Sequence, residues 1–236
     1  MNTCHSDHRS HGGDVATAEN WFNPFDNPEL VTGYETWYET DGRTADIAER
    51  RLIRWLLSGL PQAQSLLEIG VGTGHFARWL ASEGYRVAGV DLSAPMIAEA
   101  ARRGGVLLVR ADAEALPFPD NTFDGVLLIT TLEFLPHPER ALQEAARVTR
   151  HGIVLGVLNR WHPLAWQRKR SGLPVWQIAR FYAPVELERL VHQVLHPFNL
   201  QITWRTTLLP GLWWYSSRLP LGAFIGMRVL LLKQKG

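Results

Sequence analysis

Short apolar runs alternate along the chain with longer stretches in which apolar side chains recur every third or fourth position. The runs are Leu66-Leu67-Glu68-Ile69, Tyr85 to Val90, Val106 to Arg110, Phe123 to Ile129 and Ile153 to Leu158. Runs of this kind, apolar on both faces, suit parallel strands covered by helices on both sides. The helical stripes lie between them. Ala45 to Leu60 carries Ile47, Leu52, Ile53, Trp55, Leu56 and Leu57, and Gly59 with Pro61 stops it. Thr73 to Ser82 buries Phe76, Trp79 and Leu80, and Ser93 caps a helix through Pro95, Met96 and Ile97. Pro138 to Val148 and Pro184 to Leu195 repeat the pattern. Two last runs, Leu200 to Trp204 and Ala223 to Leu231, read as an antiparallel pair closing the sheet. The pattern predicts an α/β fold: a doubly wound, Rossmann-like, seven-stranded mixed sheet ending in an antiparallel hairpin.

The flanks differ in texture. Residues 1–20 are polar and lack any period that could bury a face, so a disordered tail is expected there. Cys4, His5, His8 and His11 have metal-binding chemistry, but a tail without a fold fixes no geometry, and no metal site is expected. Residues 21–236 read as a single domain. Residues 21–60 form an N-terminal lid and helix, and 160–182 and 205–222 read as insertions around an acceptor site. The 160–182 segment is basic and aromatic, which would suit nucleic acid. As an insertion after the fifth strand it reads better as a lid over a small-molecule acceptor. Leu208 to Tyr215 is an apolar loop that could touch a membrane surface or wall an apolar pocket, and the pocket is favoured.

Composition narrows the partners. A net charge of +1 gives no global field to steer the chain toward nucleic acid. The single cysteine excludes an internal disulfide and suits a reducing cytoplasm. No apolar run reaches the roughly 18–20 residues needed to span a bilayer, so a soluble cytoplasmic protein is expected.

The chemistry centres on Glu68-Ile69-Gly70-Val71-Gly72-Thr73-Gly74-His75. Glycines where a strand gives way to a helix allow positive φ and let a ligand approach the backbone, and the helix start offers free N–H groups. A dinucleotide fingerprint would need its third glycine at position 75, which is His75. Asp91 ends the second strand about 20 residues later, where an acidic residue can accept both ribose hydroxyls of an adenosine. Asp112, after the third strand, can accept an adenine amino group while the Ala113 N–H donates to a ring nitrogen.

The order acidic-x-Gly-x-Gly-x-Gly, then Asp91-Leu92-Ser93-x-x-Met96, then Asp112-Ala113-Glu114-x-Leu116-Pro117-Phe118, resembles the motifs of class I S-adenosylmethionine-dependent methyltransferases. The likeness is closest to the small-molecule, type 11 branch and covers roughly residues 34–195. It implies S-adenosyl-L-methionine as cofactor. It also implies cofactor contacts from Glu68, Gly70, Gly72, Gly74, Asp91, Leu92, Met96, Asp112 and Ala113. Tyr34 and Trp37 match a pair that closes over the methionine end in similar enzymes. Thr130 opens the turn after the fourth strand, which faces the reacting methyl in such sheets. That turn reads Thr130-Thr131-Leu132-Glu133, not the Asn/Asp-Pro-Pro-aromatic tetrapeptide of enzymes that methylate nucleobase amines.

The expected activity is in-line methyl transfer to a small, apolar or ring-containing acceptor, and positioning alone can suffice for it. If the acceptor sheds a proton, His162, His137 and Glu133 are the candidate bases by location. The alternatives are a cofactor-binding protein without turnover, or a nucleic-acid or protein methyltransferase using the 160–182 segment.

Overall fold

A computed structural model describes residues 23–209, 211–213 and 215–232. The readings made for the tail and its Cys4, His5, His8 and His11, and for Trp21, Phe22, Pro210 and Trp214, lie outside the described residues.

Seven strands form one sheet: β1 (Ser65–Ile69), β2 (Arg86–Asp91), β3 (Leu107–Arg110), β4 (Phe123–Ile129), β5 (Thr149–Leu158), β6 (Asn199–Thr207) and β7 (Phe224–Leu232). Their order is β3-β2-β1-β4-β5-β7-β6. The first five are parallel, and β7 runs antiparallel between β5 and β6. The chain reverses its walk between β1 and β4, so the carboxyl ends of those strands open a crevice where such sheets take ligands.

Neighbouring strand residues feed opposite faces. Leu66, Leu127 and Val154 pack on one side with α2 (Arg43–Leu57) and α3 (His75–Ser82). Leu67, Leu128 and Leu155 pack on the other with α5 (Pro138–Val148) and α8 (Pro184–Val194). Both faces of the central strands β1, β4 and β5 are buried, which is why those strands read as apolar runs and not as alternating text. Leu52, Ile53 and Leu56 on α2 are at most 1% exposed, and each contributes about 1.5–3 kcal/mol by burial. Helix α2 can sit that close because Gly226 on β7 has no side chain. A Cβ there would stand 2.7 Å from Leu56 Cδ1 and 2.8 Å from Leu52 Cδ2.

The expected elements are present, with shifted ends. Helix α3 begins at His75, not Thr73, because Gly74 takes φ +81°, left-handed backbone that a right-handed helix cannot include. Strand β5 begins at Thr149, before the apolar run at Ile153, because β4 pairs with it from Thr149; β7 joins on the other side only from Gly152. Pairing draws the polar Thr149-Arg150-His151 into the strand, where context outweighs propensity. The lid segment is ordered as a 3₁₀ turn at Pro24–Asp26 and α1 (Pro28–Glu39), whose starts are capped by the Asn23 and Asn27 side chains. The 160–182 stretch holds two short helices, α6 (Pro163–Arg170) and α7 (Pro174–Ile178). Helix α4 (Ala94–Arg103) starts at the Ser93 cap, as expected. No helix among the described residues is long and apolar enough to cross a membrane.

Candidate functional site

The glycine loop is built by positions that refuse other residues. Gly70, Gly72 and Gly74 have φ of +71°, +52° and +81°. A Cβ on Gly70 would lie 2.3 Å from Thr131 Cγ2, whereas one on Gly72 would project into open space whose nearest atom is Met96 Sδ, 3.9 Å away. The first glycine permits close packing and the second keeps a cavity clear. Gly72 N–H donates to Asp91 Oδ2 at 2.8 Å and Ser93 N–H to Asp91 Oδ1 at 2.9 Å. Burial lifts the Asp91 carboxyl above its usual range, against the pull of those two amides.

Above this loop lies a cavity of about 290 Å³. Gly70, Gly72, Asp91, Leu92 and Met96 line it from the first half of the sheet, and Asp112, Ala113 and Thr130 from the strands beside it. Tyr34 and His137 also reach its wall. Thr130 has φ +50°, a left-handed conformation that a β-branched residue adopts at a cost of about 1–3 kcal/mol. Its N–H donates to Gly156 O at 2.7 Å, which holds the strained turn at the mouth of β4.

Glu68 and Gly74 support the loop from beneath, outside the cavity wall. Glu68 is 2% exposed, and its Oε2 finds no partner among the described residues. Burial pushes its pKa up to about 8; the Ala77 amide opposes that and the Asp91 charge adds to it. An open cradle over Gly72 with the Asp91 carboxyl held at its edge fits a nucleoside-sized group that carries positive charge, as S-adenosylmethionine does. The remaining sequence candidates stand apart from this wall. Trp37 lines a second cavity instead, and His162 spends Nδ1 as an acceptor for the Leu164 N–H that starts α6. Glu133 is 1% exposed; its Oε1 accepts the Leu158 N–H at 2.7 Å, and burial raises its pKa to about 8. The apolar 208–215 loop was expected to wall a pocket. Segment 205–222 contributes no described residue to either cavity, and Leu212 and Tyr215 stand exposed.

Helix α1 is clamped to the loop by a buried acid. Glu35 Oε1 accepts from Thr73 Oγ1 and, at 2.9 Å, from the Arg78 guanidinium. His75 lies between Glu35 and Asp46, 3.6 Å and 2.7 Å away, and stacks on Tyr38 at 3.8 Å. Burial opposes a charge on His75, but the hydrogen bonds to Asp46 and Glu35 outweigh it and raise its pKa. Burial likewise opposes ionisation of Glu35, yet hydrogen bonds from His75, Thr73 and Arg78 bring it down to about 2.

The second cavity, of about 510 Å³, lies under α1, α6 and α7. Phe25, Tyr34, Thr130 and Phe134 line both cavities, so the two share a wall. Trp37, Tyr38 and Trp176 complete an aromatic lining, and two charged residues enter it, Glu49 and Arg168. Arg168 belongs to the basic 160–182 segment that the sequence marks as an acceptor-site lid, whereas sequence reasoning missed Glu49. The signal for Glu49 was present: it falls three and four residues before Leu52 and Ile53, on the buried face of α2.

Strand order, glycine loop and acid-lined cavity together define a Rossmann-like protein built for an adenosine-bearing cofactor. The methyltransferase domain family matches residues 67–156. An uncharacterised protein of Mycobacterium tuberculosis is 39% identical over 68% of this chain, a match that spans 56% of that relative's length. An uncharacterised protein of Methanocaldococcus jannaschii is 31% identical over 73% of this chain and 80% of its own. A solved Thermotoga maritima structure, described as a SAM-dependent methyltransferase and possible histamine N-methyltransferase, superposes with a TM-score of 0.73. It is 29% identical, covering 87% of this chain and 98% of that one. The chain belongs to the class I S-adenosylmethionine-dependent methyltransferases, in the type 11 branch.

Proposed function

We propose that the chain transfers the methyl group of S-adenosylmethionine to a small, ring-bearing acceptor seated in the second cavity. The observation that carries this reading is the wall of Phe25, Tyr34, Thr130 and Phe134 common to both cavities. A methyl presented from one side meets a nucleophile presented from the other, away from bulk water. In this reading Asp91 accepts the ribose hydroxyls, Asp112 and the Ala113 N–H select adenine, and Leu92 and Met96 bracket the ring. Asp91, beside the loop, is the carboxyl placed to favour the positive charge through space. Tyr34 and Thr130 stand at the transfer point, and Trp37 serves the acceptor side. The cofactor supplies a methyl that is already electrophilic, so the protein's work is alignment and exclusion of water.

Residues 21–236 act as one domain, with α1 and the 160–182 helices roofing the acceptor cavity. The Thermotoga relative's description supports a small ring-bearing amine as the kind of acceptor. The lone cysteine supports a cytoplasmic setting. Calorimetric titration with adenosylhomocysteine, and separately with NAD, tests the proposal. Micromolar binding of the first and none of the second is expected; binding of neither would refute it.

A further inference from the structure

Glu49 has no place in the cofactor chemistry above. It sits in the middle of α2, 5% exposed, and lines the second cavity. No described residue hydrogen-bonds or ion-pairs with its carboxyl. An unpartnered buried carboxyl is costly unless something supplies the missing partner.

Its surroundings say what kind of partner fits. Six aromatic residues line the cavity, Phe25, Tyr34, Trp37, Tyr38, Phe134 and Trp176, which offers ring stacking to a flat ligand. The titratable and charged groups facing Glu49 come from several elements: Arg168 on α6, Glu133 in the turn after β4, the neutral phenols of Tyr34 and Tyr38 on α1, and Asp46 on α2 itself. The Arg168 guanidinium lies 4.6 Å over the Trp176 ring and faces both Glu49 and Glu133. It is therefore engaged already and is a poor receptor for an acidic acceptor. What the cavity lacks is a donor for Glu49.

We infer that Glu49 is the proton acceptor of this cavity, and that the acceptor molecule is a planar aromatic compound whose nucleophile is a ring-borne amine or hydroxyl. This rests on the methyl-transfer reading. The nucleophile's lone pair forms the new bond to the methyl carbon, and the carbon–sulfur bonding pair stays with sulfur. The N–H or O–H proton passes to the Glu49 carboxylate and then to water. Burial brings the Glu49 pKa up to about 8, against the pull of Arg168, which places its proton affinity near working pH. Arg168 keeps the ionised form accessible.

The test uses 2-naphthol, 2-naphthylamine and naphthalene as probes. Binding is read by quenching of tryptophan fluorescence, with and without adenosylhomocysteine, and the cofactor product is measured separately by calorimetry. The wild type should bind the two proton-bearing probes at least tenfold more tightly than naphthalene. Glu49→Leu should bind all three alike, with adenosylhomocysteine affinity unchanged. A wild type without that preference, or a Glu49→Leu protein that keeps it, overturns the assignment. Glu49→Gln keeps a carbonyl acceptor and the size of the side chain, so it should retain the preference yet methylate the probes about 10²-fold more slowly. Equal turnover by Glu49→Gln, or probes that bind the wild type and are never methylated, overturns the proton-acceptor role. If adenosylhomocysteine fails to bind, the methyl-transfer reading falls, while the probe preference still decides whether Glu49 defines a ring-binding site.

Discussion

Replacing Glu68 by Gln makes the buried acid beneath the glycine loop measurable. The Glu68 carboxyl is 2% exposed, and burial raises its pKa from 4.5 to about 8. Between those values the unfolded chain has lost the proton and the folded chain keeps it, so the wild type loses stability as pH rises. The slope is about 1.4 kcal/mol per pH unit, and it ends once pH passes the folded value. Gln has no proton to lose and is free of that slope. It does place an amide N–H₂ where Oε2 now finds no partner, a cost of about 1–3 kcal/mol that is the same at every pH. The two stability curves should therefore cross. At pH 5 the variant is the less stable protein. By pH 8 it has gained about 4 kcal/mol on the wild type and is the more stable. Urea denaturation followed by tryptophan fluorescence at pH 5, 6, 7 and 8 reads the difference directly. Glu49 and Glu133 titrate in both proteins and cancel. A stability difference that stays constant across the window would refute the buried-acid account of Glu68.

Other expectations follow from particular contacts. Asp91→Ala should weaken adenosylhomocysteine binding by about 1–3 kcal/mol in calorimetry, since hydrogen bonds to a carboxylate are lost; unchanged affinity would refute its place at the ribose. Gly226→Ala should lower the urea midpoint by the equivalent of about 1–3 kcal/mol, because its Cβ would meet Leu56 and Leu52 inside 3 Å. By contrast, Gly33→Ala in α1 meets nothing within 4 Å and should stabilise by about 0.5–1 kcal/mol in the same assay. Glu35 is held down to about 2 by His75, Thr73 and Arg78 despite burial, so its contribution is present above pH 4.5 and is lost as pH falls toward 2. Acid denaturation of Glu35→Gln should accordingly be shallower than that of the wild type over that range, and equal slopes would count against the clamp.

The cofactor side was legible in the sequence because its signals are local. Glycines at 70, 72 and 74, Asp91 at a strand end and Asp112 after the next strand each declare themselves within a few residues, and the sheet's order brings them together. The acceptor side was not, because it is made by packing. Glu49 and Glu35 sit within amphipathic helices where the eye counts apolar positions, and only the approach of α6 and the glycine loop shows what they face. Tyr34 and Trp37, one turn apart, read as a pair; in the fold Tyr34 reaches both cavities and Trp37 only the second. Loop 208–215 misled because apolar residues near a fold's rim can remain exposed.

The Glu35 clamp also has a meaning for how the two cavities communicate. Helix α1 carries Tyr34 into the wall between the cavities, and through the next residue it grips Thr73 and Arg78 of the cofactor loop and its helix. In the proposed reading the two binding sites share a single mechanical part, so their affinities are expected to be linked, and that linkage is reciprocal. Ring-probe affinity should change when adenosylhomocysteine is present, adenosylhomocysteine affinity should change by the same factor when the probe is present, and both changes should shrink together once Glu35 is neutralised. The strength of the coupling between the two sites then becomes a property of one carboxylate.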